Sequence, residues 1–410
     1  MVLNEATRDF IRHHLEADVR QLALRQPNNS NGGTTEVDLP LALEQIAGWQ
    51  KSRAKIPSWA AIEGILYPPH LSMEQCSSER TARYKASVAG SGDLFVDLTA
   101  GFGVDAAFIS QGFARAVCVE QQERLSAISK ANFQQLGLNH IQTVCGDGMA
   151  FLHTLDHADL LFIDPARRNA HGGRAYGIAD CTPNVLEIID EMKAKADRIL
   201  IKLSPMLDWR EAVSDLNGSV ASVHIVSVDN ECKELLIEVL GNQREAKSDL
   251  PSGVLSQRVV CVNLLSDGSE QRFEFQPSAA ADGLLASPTP RFLYEPNASI
   301  MKAGCFDLVA ERFGLCQLEA NSHLFVSDQE VSDFPGRSFV IDRVVSMNKR
   351  ELKKALSGIT RANIAVRNFP MSVAELRKRL KLQDGGDAFI FATTVSNQGH
   401  RLFLCRKNLY

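Results

Sequence analysis

The stretch Asp97-Leu-Thr-Ala-Gly-Phe-Gly-Val-Asp105 decides the fold class of this chain. An apolar run, Leu94-Phe-Val96, leads into it, and a helix-like stretch continues from Val104 to Gln111. Three later apolar runs also end at or near a carboxylate, at Glu120, Asp147 and Asp164. Because ligands of parallel α/β sheets bind at the carboxyl ends of the strands, this series predicts such a sheet with its ligand at that edge.

The glycine turn Gly101-x-Gly103 is compatible with two kinds of cofactor. It satisfies the dinucleotide pattern G-x-G-x-x-A, in which backbone N–H groups face a pyrophosphate. A carboxylate at Asp97, at the end of the same strand, would repel that anion but attract the ammonium and sulfonium groups of S-adenosylmethionine (SAM). The turn therefore favours SAM over a nicotinamide or flavin dinucleotide. The remaining alternative is a structural α/β domain with ordinary strand-end acids.

The later strand-end acids extend this predicted cofactor site. Glu120 can accept hydrogen bonds from both ribose hydroxyls, and Asp147 stands where an adenine amine can donate. The predicted cofactor-binding residues are these acids and their loop neighbours: Asp97, Thr99, Gly101, Gly103, Asp105, Glu120, Gln121, Asp147 and Gly148. The ordered set resembles the class I SAM-dependent methyltransferases, which implies SAM as the cofactor.

Composition indicates several folded units and gives no sign of a membrane segment or a metal. At 410 residues with 45% hydrophobic content, two to four units are expected. No apolar run has bilayer length, and the first residues lack the basic and apolar regions of a signal peptide. Nine cysteines, an odd number, stand singly with no C-x-x-C pair. This usage predicts reduced core residues, no metal ligands and a cytoplasmic location.

The predicted sheet continues after Asp164. Residues 198–205 are typical of a fifth strand, and residues 223–228 and 234–240 of two more. Only five residues separate the last two, too few for a helical crossover, so we expect them to pair antiparallel. A hairpin is predicted at residues 259–275. Before the first strand, apolar residues at helical spacing predict a helical cap.

Three further motifs carry a closer resemblance. They are Gln75-Cys-Ser-Ser-Glu79, Asp164-Pro-Ala-Arg-Arg168 and Phe292-Leu-Tyr-Glu-Pro-Asn-Ala-Ser-Ile-Met-Lys-Ala-Gly304. With the glycine turn, they resemble a bacterial group of class I methyltransferases with a ferredoxin-like segment and a THUMP-like C-terminal domain. The resemblance implies an α/β fold: a Rossmann-like, seven-stranded class I sheet with an N-terminal helical cap and a small α+β THUMP-like domain. The implied division is a helical region 1–85, a methyltransferase domain 86–245, a hairpin, linker and ferredoxin-like segment 246–328, and a basic THUMP-like domain 329–410.

Charge is divided unevenly along the chain. Residues 331–410 contain 15 Lys/Arg and 6 Asp/Glu, a net charge of +9, whereas residues 1–330 carry −14. Such asymmetry is expected when one module contacts a polyanion, although a solvated helix face explains any single cluster equally well. THUMP-type domains are associated with RNA-modifying enzymes, so the resemblance implies ribosomal or transfer RNA as the partner. The candidate RNA contacts are Lys349, Arg350, Lys353, Lys354, Arg361, Arg367, Arg377 and Lys378.

The fourth predicted strand ends where methyltransferases acting on planar bases place the sulfonium. Asp164, Pro165 and Arg167 are the predicted catalytic residues there. Covalent carbon-5 methylation of uracil needs a cysteine thiolate near strand five, but this chain has Lys202-Leu-Ser-Pro205 at that place. Transfer to nitrogen or oxygen is therefore favoured. Two alternatives stay open: a methyltransferase for protein or small molecules whose basic domain docks a partner, and a catalytically inactive RNA-binding module.

Overall fold

The chain divides into two units. The computed structural model describes residues 3–24, 37–167, 177–216, 219–242, 257–277, 290–395 and 398–408. The first unit comprises Met1–Val223 and Glu234–Ser256, and the second comprises His224–Lys233 and Gln257–Tyr410. Arg168 and most of the expected linker at 277–290 lie outside the described residues. The four-part domain division stays a prediction.

Helices form the N-terminal part of the first unit, in agreement with the predicted cap. They are α1 (Glu5–His14), α2 (Val19–Leu24), α3 (Leu39–Lys55), α4 (Pro57–Ala60), α5 (His70–Gln75) and α6 (Glu79–Ala89). The side chains of Asn4 and Asp38 cap α1 and α3 by accepting a backbone N–H of the first turn. Pro57 begins a new helix because its ring cannot continue the preceding one. Ser78 caps α6 directly before the first strand.

Strands of the first unit form a sheet with class I methyltransferase topology. The strands are β1 (Gly92–Asp97), β2 (Phe113–Glu120), β3 (Ile141–Cys145), β4 (Ala158–Ile163), the short pair β5 (Ala166–Arg167) and β6 (Cys181–Thr182), β7 (Ala196–Leu203), β8 (Val220–Val228) and β9 (Glu231–Leu240). Five of them pair in parallel in the order β3-β2-β1-β4-β7. Strand β9 is antiparallel to β7, and β8, which starts in this unit, borders β9. This order confirms the predicted fold class.

Helices connect the parallel strands and cover the sheet. They are α7 (Val104–Ile109), α8 (Glu123–Gln135), α9 (Gly148–Thr154), α10 (Val185–Lys195) and α11 (Trp209–Asp215). Helix α10 begins at Val185, because the Asn184 side chain caps it by accepting the Leu186 N–H. Phe95, Val96 and Leu161 are fully buried within β1 and β4, as expected for a sheet covered on both faces. The carboxyl ends of β1, β2 and β4 therefore share one edge of the sheet.

The second unit is mixed α and β. It contains the hairpin β10 (Arg258–Leu264) and β11 (Glu270–Phe275), which confirms the predicted hairpin. Its other elements are β12 (Phe292–Pro296), α12 (Ala298–Ala303), α13 (Phe306–Phe313), β13 (Cys316–Gln317), β14 (Phe325–Ser327), β15 (Gly336–Ser346), α14 (Lys349–Ala355), β16 (Asn363–Arg367), α15 (Val373–Leu380), β17 (Ala388–Val395) and β18 (Gly399–Lys407). Strands β12 to β18 form a second sheet, in the order β13-β14-β12-β15-β18-β17-β16.

Two hydrophobic clusters lie on opposite faces of this second sheet. On one face, Leu352 of α14 and Leu376 of α15 pack against alternate residues of β17 and β18. On the other face, Phe339, Phe391 and Phe403 pack together. Because α14 and α15 bury their apolar sides against the same face, their polar sides are both turned away from the sheet.

Candidate functional site

The glycine turn after β1 has a backbone that only glycine adopts without strain. Gly101 has φ +54° and Gly103 has φ +83°. A Cβ atom on Gly103 would lie 2.6 Å from Cζ of Phe133 on α8, so the turn packs tightly against that helix. A Cβ atom on Gly101 would meet nothing closer than 3.9 Å, the carbonyl oxygen of Thr99. The turn is therefore closely packed at Gly103 and open at Gly101.

Asp97 lies buried at the end of β1, directly before this turn. Its Oδ1 atom accepts a hydrogen bond of 2.9 Å from the backbone N–H of Thr99. Burial raises the pKa of the Asp97 carboxyl well above its usual value, although the Thr99 N–H lowers it. Asp105 and Asp164 raise this pKa further, and Lys202 lowers it. A cationic ligand group beside Asp97 would stabilise its ionised form.

Glu120, at the end of β2, is joined directly to the glycine turn. Its Oε2 atom accepts the Gly101 N–H at 2.9 Å, and its Oε1 atom accepts the Gln122 N–H at 2.7 Å. A carboxylate offers about four acceptor positions, so capacity remains for ribose hydroxyls. Gln121 is exposed beside it. The structure thus brings the predicted cofactor residues of β1 and β2 together.

Asp147 lies at the start of α9 and acts as its N-cap. Its Oδ1 atom accepts the N–H groups of Met149 and Ala150, each at 2.9 Å. The neighbouring Gly148 packs against the end of β1, since a Cβ atom there would lie 2.1 Å from the carbonyl oxygen of Leu98. Asp147 is exposed, so it can cap the helix and still face a ligand.

Asp105 differs from the other predicted cofactor residues because its side chain belongs to a buried charged cluster. Ser77 Oγ donates to Asp105 Oδ2 at 2.7 Å, and Lys85 Nζ lies 3.2 Å from Oδ1. Burial would raise the pKa of Asp105, but Lys85 and Lys202 outweigh it and hold that pKa below its usual value. These contacts occupy the carboxylate, so its role as a direct cofactor ligand stays a prediction.

The charged cluster contains residues that the sequence did not indicate. Lys85 is completely buried and donates to both carboxylate oxygens of Glu234, each at 2.7 Å. Lys202, at the end of β7, extends the cluster towards the sheet edge. The burial of Lys85 could have been predicted from the sequence. Lys85 falls three residues after Ala82 and four before Ala89, so all three lie on the same, buried side of α6.

Asp164, the predicted catalytic acid, follows β4 and stands at the same edge. Its backbone N–H donates to Thr99 Oγ1 at 2.7 Å, which links the ends of β4 and β1. Its carboxylate contacts the ammonium group of Lys202. Pro165 is buried beside it, and Arg167 belongs to β5 by its main chain, while the Arg167 side chain lies outside the described residues.

The candidate RNA-contacting residues fall into two groups in the second unit. Those on α14 and Lys378 of α15 are exposed, and no ion pair engages them in the part of the chain that the structure describes. Arg367, in contrast, pairs with the buried Glu295 at 2.8 Å, and Arg377 pairs with Asp384. Arg361 donates to a backbone carbonyl at 3.0 Å. The α14 residues and Lys378 are thus the candidate cations most available to a polyanion.

Family models match the C-terminal part of the chain. A ferredoxin-like domain model matches residues 292–335, and a THUMP domain-like model matches residues 336–407. None of the curated proteins matches the chain. Over the residues that the structure describes, no helix is long and apolar enough to cross a membrane, and no group of three or more His, Cys, Asp or Glu is arranged to hold a metal ion.

One solved structure is similar to the chain over its whole length. It is a crystal structure of a "putative methyltransferase" from Porphyromonas gingivalis W83, with 30% identity and a TM-score of 0.86, covering 99% of this chain and 100% of that one. An rRNA methylase from Streptococcus thermophilus has 15% identity and a TM-score of 0.30, with coverage of 39% and 94%. M. capricolum TrmK, solved with S-adenosylhomocysteine, has 15% identity and a TM-score of 0.31, with coverage of 40% and 68%.

Proposed function

Because the chain belongs to the family of bacterial class I methyltransferases with a ferredoxin-like segment and a THUMP-like C-terminal domain, we propose that it is a SAM-dependent methyltransferase acting on structured RNA. The observation that carries the cofactor part is the buried Asp97 beside an open glycine turn whose N–H is held by Glu120. The nine cysteines are free thiols, which favours a reducing compartment, the cytoplasm.

The residues at this edge fit SAM better than a dinucleotide. Burial disfavours the ionised form of Asp97. A cationic ligand group beside the carboxylate would stabilise that form, whereas the negative charge of a pyrophosphate would destabilise it further. The Gly101 N–H, which would face a pyrophosphate in a dinucleotide site, already donates to Glu120. Asp97 would hold the ammonium end of SAM, and Glu120 would hold the ribose.

Asp164 is the residue we assign to the methyl acceptor. SAM, when bound, supplies an electrophilic methyl group. The Asp164 carboxylate accepts a hydrogen bond from the N–H or O–H of the acceptor atom, stabilises the positive charge that develops on that atom and accepts its proton. Its side chain is 36% exposed, so an acceptor can reach it. Pro165 shapes the turn, and the assignment of Arg167 to this site stays a proposal.

We expect SAM to bind more weakly as the pH falls through the raised pKa of Asp97. At pH values below the raised pKa of Asp97, the carboxyl carries a proton that SAM binding must displace. Displacing one proton lowers affinity by up to about tenfold per pH unit. At pH values above that pKa, the carboxylate is ionised before SAM binds, so the affinity for SAM is at its maximum. Calorimetry in buffers of different ionisation enthalpy measures both the affinity and the proton release.

Asp97→Asn is the matched control for this experiment. It keeps the size of the side chain, loses the charge, and should weaken SAM by about 10- to 100-fold, the range for a hydrogen bond to a charged group. Proton release should disappear with it. Tight NADH binding without SAM binding contradicts the cofactor assignment.

The RNA part of the proposal rests on the exposed basic side of α14. Lys349, Arg350, Lys353 and Lys354 fall on one side of this helix, away from the sheet that buries Leu352. With the THUMP domain-like match and the net charge of +9 over residues 331–410, this surface supports RNA as the substrate. We call these four residues the α14 basic surface.

Replacing Lys353 and Lys354 by Ala should weaken RNA binding and reduce its salt dependence. Each lost phosphate contact lowers the slope of log affinity against log salt by about 0.7 to 0.9, so a total change of roughly 1 to 2 is expected. Filter binding of total RNA at several salt concentrations measures this slope. Arg20→Ala with Lys130→Ala, an equal charge change at exposed positions of the first unit, is the control. Salt-independent or absent RNA binding instead favours a protein or small-molecule substrate.

A further inference from the structure

We propose that Lys202 is a positioning residue for methyl transfer, which holds the Asp164 carboxylate in the orientation that receives the methyl acceptor. This inference rests on the proposed function and adds a residue that the predicted site did not contain. It starts from a contact between two neighbouring strand ends: the ammonium group of Lys202 meets Oδ2 of Asp164.

The sheet register explains why these two side chains meet. Strands β4 and β7 run parallel, with Ile163 opposite Ile201, so the residues that follow each of them are also neighbours. The Lys202 side chain is 12% exposed, whereas that of Asp164 is 36% exposed. Lys202 therefore holds the carboxylate from the protein side and leaves its outer side accessible.

A second contact fixes Asp164 from the opposite direction. Its backbone N–H donates to Thr99 Oγ1 at 2.7 Å, and the Thr99 N–H donates to Asp97 Oδ1 at 2.9 Å. These bonds connect the residue assigned to the cofactor with the residue assigned to the acceptor. With its main chain held by Thr99 and its carboxylate held by Lys202, Asp164 has little freedom to turn. Such fixed geometry matters because a displacement of about 1 Å lowers rates by roughly 100-fold.

Lys202 acts as a fixed cation and not as a base. Burial would lower its pKa, but Asp164, Asp105 and Glu234 raise that pKa above its usual value, so the ammonium group stays protonated through neutral pH. Its Nζ lies 3.8 Å from Asp105 Oδ2. Its remaining charged and titratable neighbours are Asp97 on β1, Lys55 on α3 and Cys76 after α5. Of the carboxylates among these groups, Asp97, Asp105 and Glu234 are buried, whereas the Asp164 side chain is 36% exposed.

Steady-state kinetics of Lys202→Met tests this role. Tritiated methyl transfer from SAM to total RNA of a gene-deleted strain should show kcat lowered by about 10- to 100-fold. Affinity for S-adenosylhomocysteine, compared at a pH at which neither enzyme releases a proton on binding, should change by less than about threefold, because Asp97 is then ionised with or without Lys202. Lys202→Arg should restore most of the rate. Lys195→Met, which removes an equal charge from the Lys195–Glu191 pair on α10, is the control.

A double-mutant cycle separates positioning from a structural role. In the Asp164→Asn background, Lys202→Met should lower kcat by less than about threefold, because the carboxylate that it positions is already absent. Fully additive losses contradict the proposal. So does an equal loss of S-adenosylhomocysteine affinity and of rate. If Lys202→Met does not fold, Lys202→Gln replaces it, and melting temperatures identify that case.

An infrared measurement on the enzyme alone tests the contact without any methyl acceptor. The carboxylate stretch assigned to Asp164 by its loss in Asp164→Asn should shift in Lys202→Met and stay unchanged in Lys195→Met. If wild-type enzyme transfers no methyl group to RNA, the proposed substrate is wrong, but this shift still reports whether Lys202 orients Asp164. An unchanged Asp164 band in Lys202→Met contradicts the inference whatever the substrate is.

Discussion

Asp164→Ala is expected to lower the rate of methyl transfer by about two orders of magnitude or more, the usual scale for a positioned acid–base group. SAM affinity should stay within about threefold, because the hydrogen bond from the acceptor strengthens only in the transition state. Asp164 stands at the sheet edge with its carboxylate held by Lys202 and its main chain held by Thr99. The loss should therefore appear in kcat.

Mass spectrometry of nucleosides from a gene-deleted strain and its parent must first identify the missing methyl group. The same strain complemented with wild type, Asp164→Ala and the exposed-site control Asp190→Ala then gives the in vivo result. Since Asp164→Ala also leaves Lys202 without its closest partner, Asp164→Asn serves as a second variant that keeps an oxygen facing Lys202. Restoration of the methyl group by Asp164→Ala at the parental rate contradicts the assigned role.

The strand-end acids could be predicted because their signal is local in the chain. An apolar run followed by Asp97, Glu120 or Asp164 defines both a buried strand and the residue at its carboxyl end. The same holds for Gly101 and Gly103, whose positive φ angles are what a G-x-G turn requires. Parallel pairing then brings these positions to one edge, so sequence order alone indicated which residues would be near each other.

The side-chain partners of those residues could not be predicted in the same way. Lys85 and Glu234 are 149 positions apart, and Asp164 and Lys202 are 38 apart, so no local pattern joins them. Asp105 illustrates the consequence: its place after the glycine turn suggested a cofactor ligand, but its contacts are with Ser77 and Lys85. Which way a carboxylate turns depends on cations that only the folded chain brings close.

Lys85→Met is expected to lower the stability of the first unit strongly. The ammonium group of Lys85 is fully buried, donates to both oxygens of Glu234 at 2.7 Å, and lies 3.2 Å from Asp105. Methionine fills most of the volume of the lysine side chain. The carboxylates of Glu234 and Asp105 then stay buried without the positive charge of Lys85. Removing one partner of a buried ion pair lowers the free energy of unfolding by about 3–5 kcal/mol.

Urea unfolding followed by tryptophan fluorescence measures this loss in the first unit alone, because Trp49, Trp59 and Trp209 all lie there. Arg115→Met removes an exposed cation, paired with the exposed Asp93, from the same unit and should lower the free energy of unfolding only slightly. The double variant Lys85→Met with Glu234→Met also removes the carboxylate that pairs with Lys85. More than half of the free energy of unfolding lost in Lys85→Met should therefore return. Lys202 remains to compensate Asp105 in that variant. A loss below about 1 kcal/mol in Lys85→Met, or a double variant less stable than the single one, means that the cluster is not held together by the charge of Lys85.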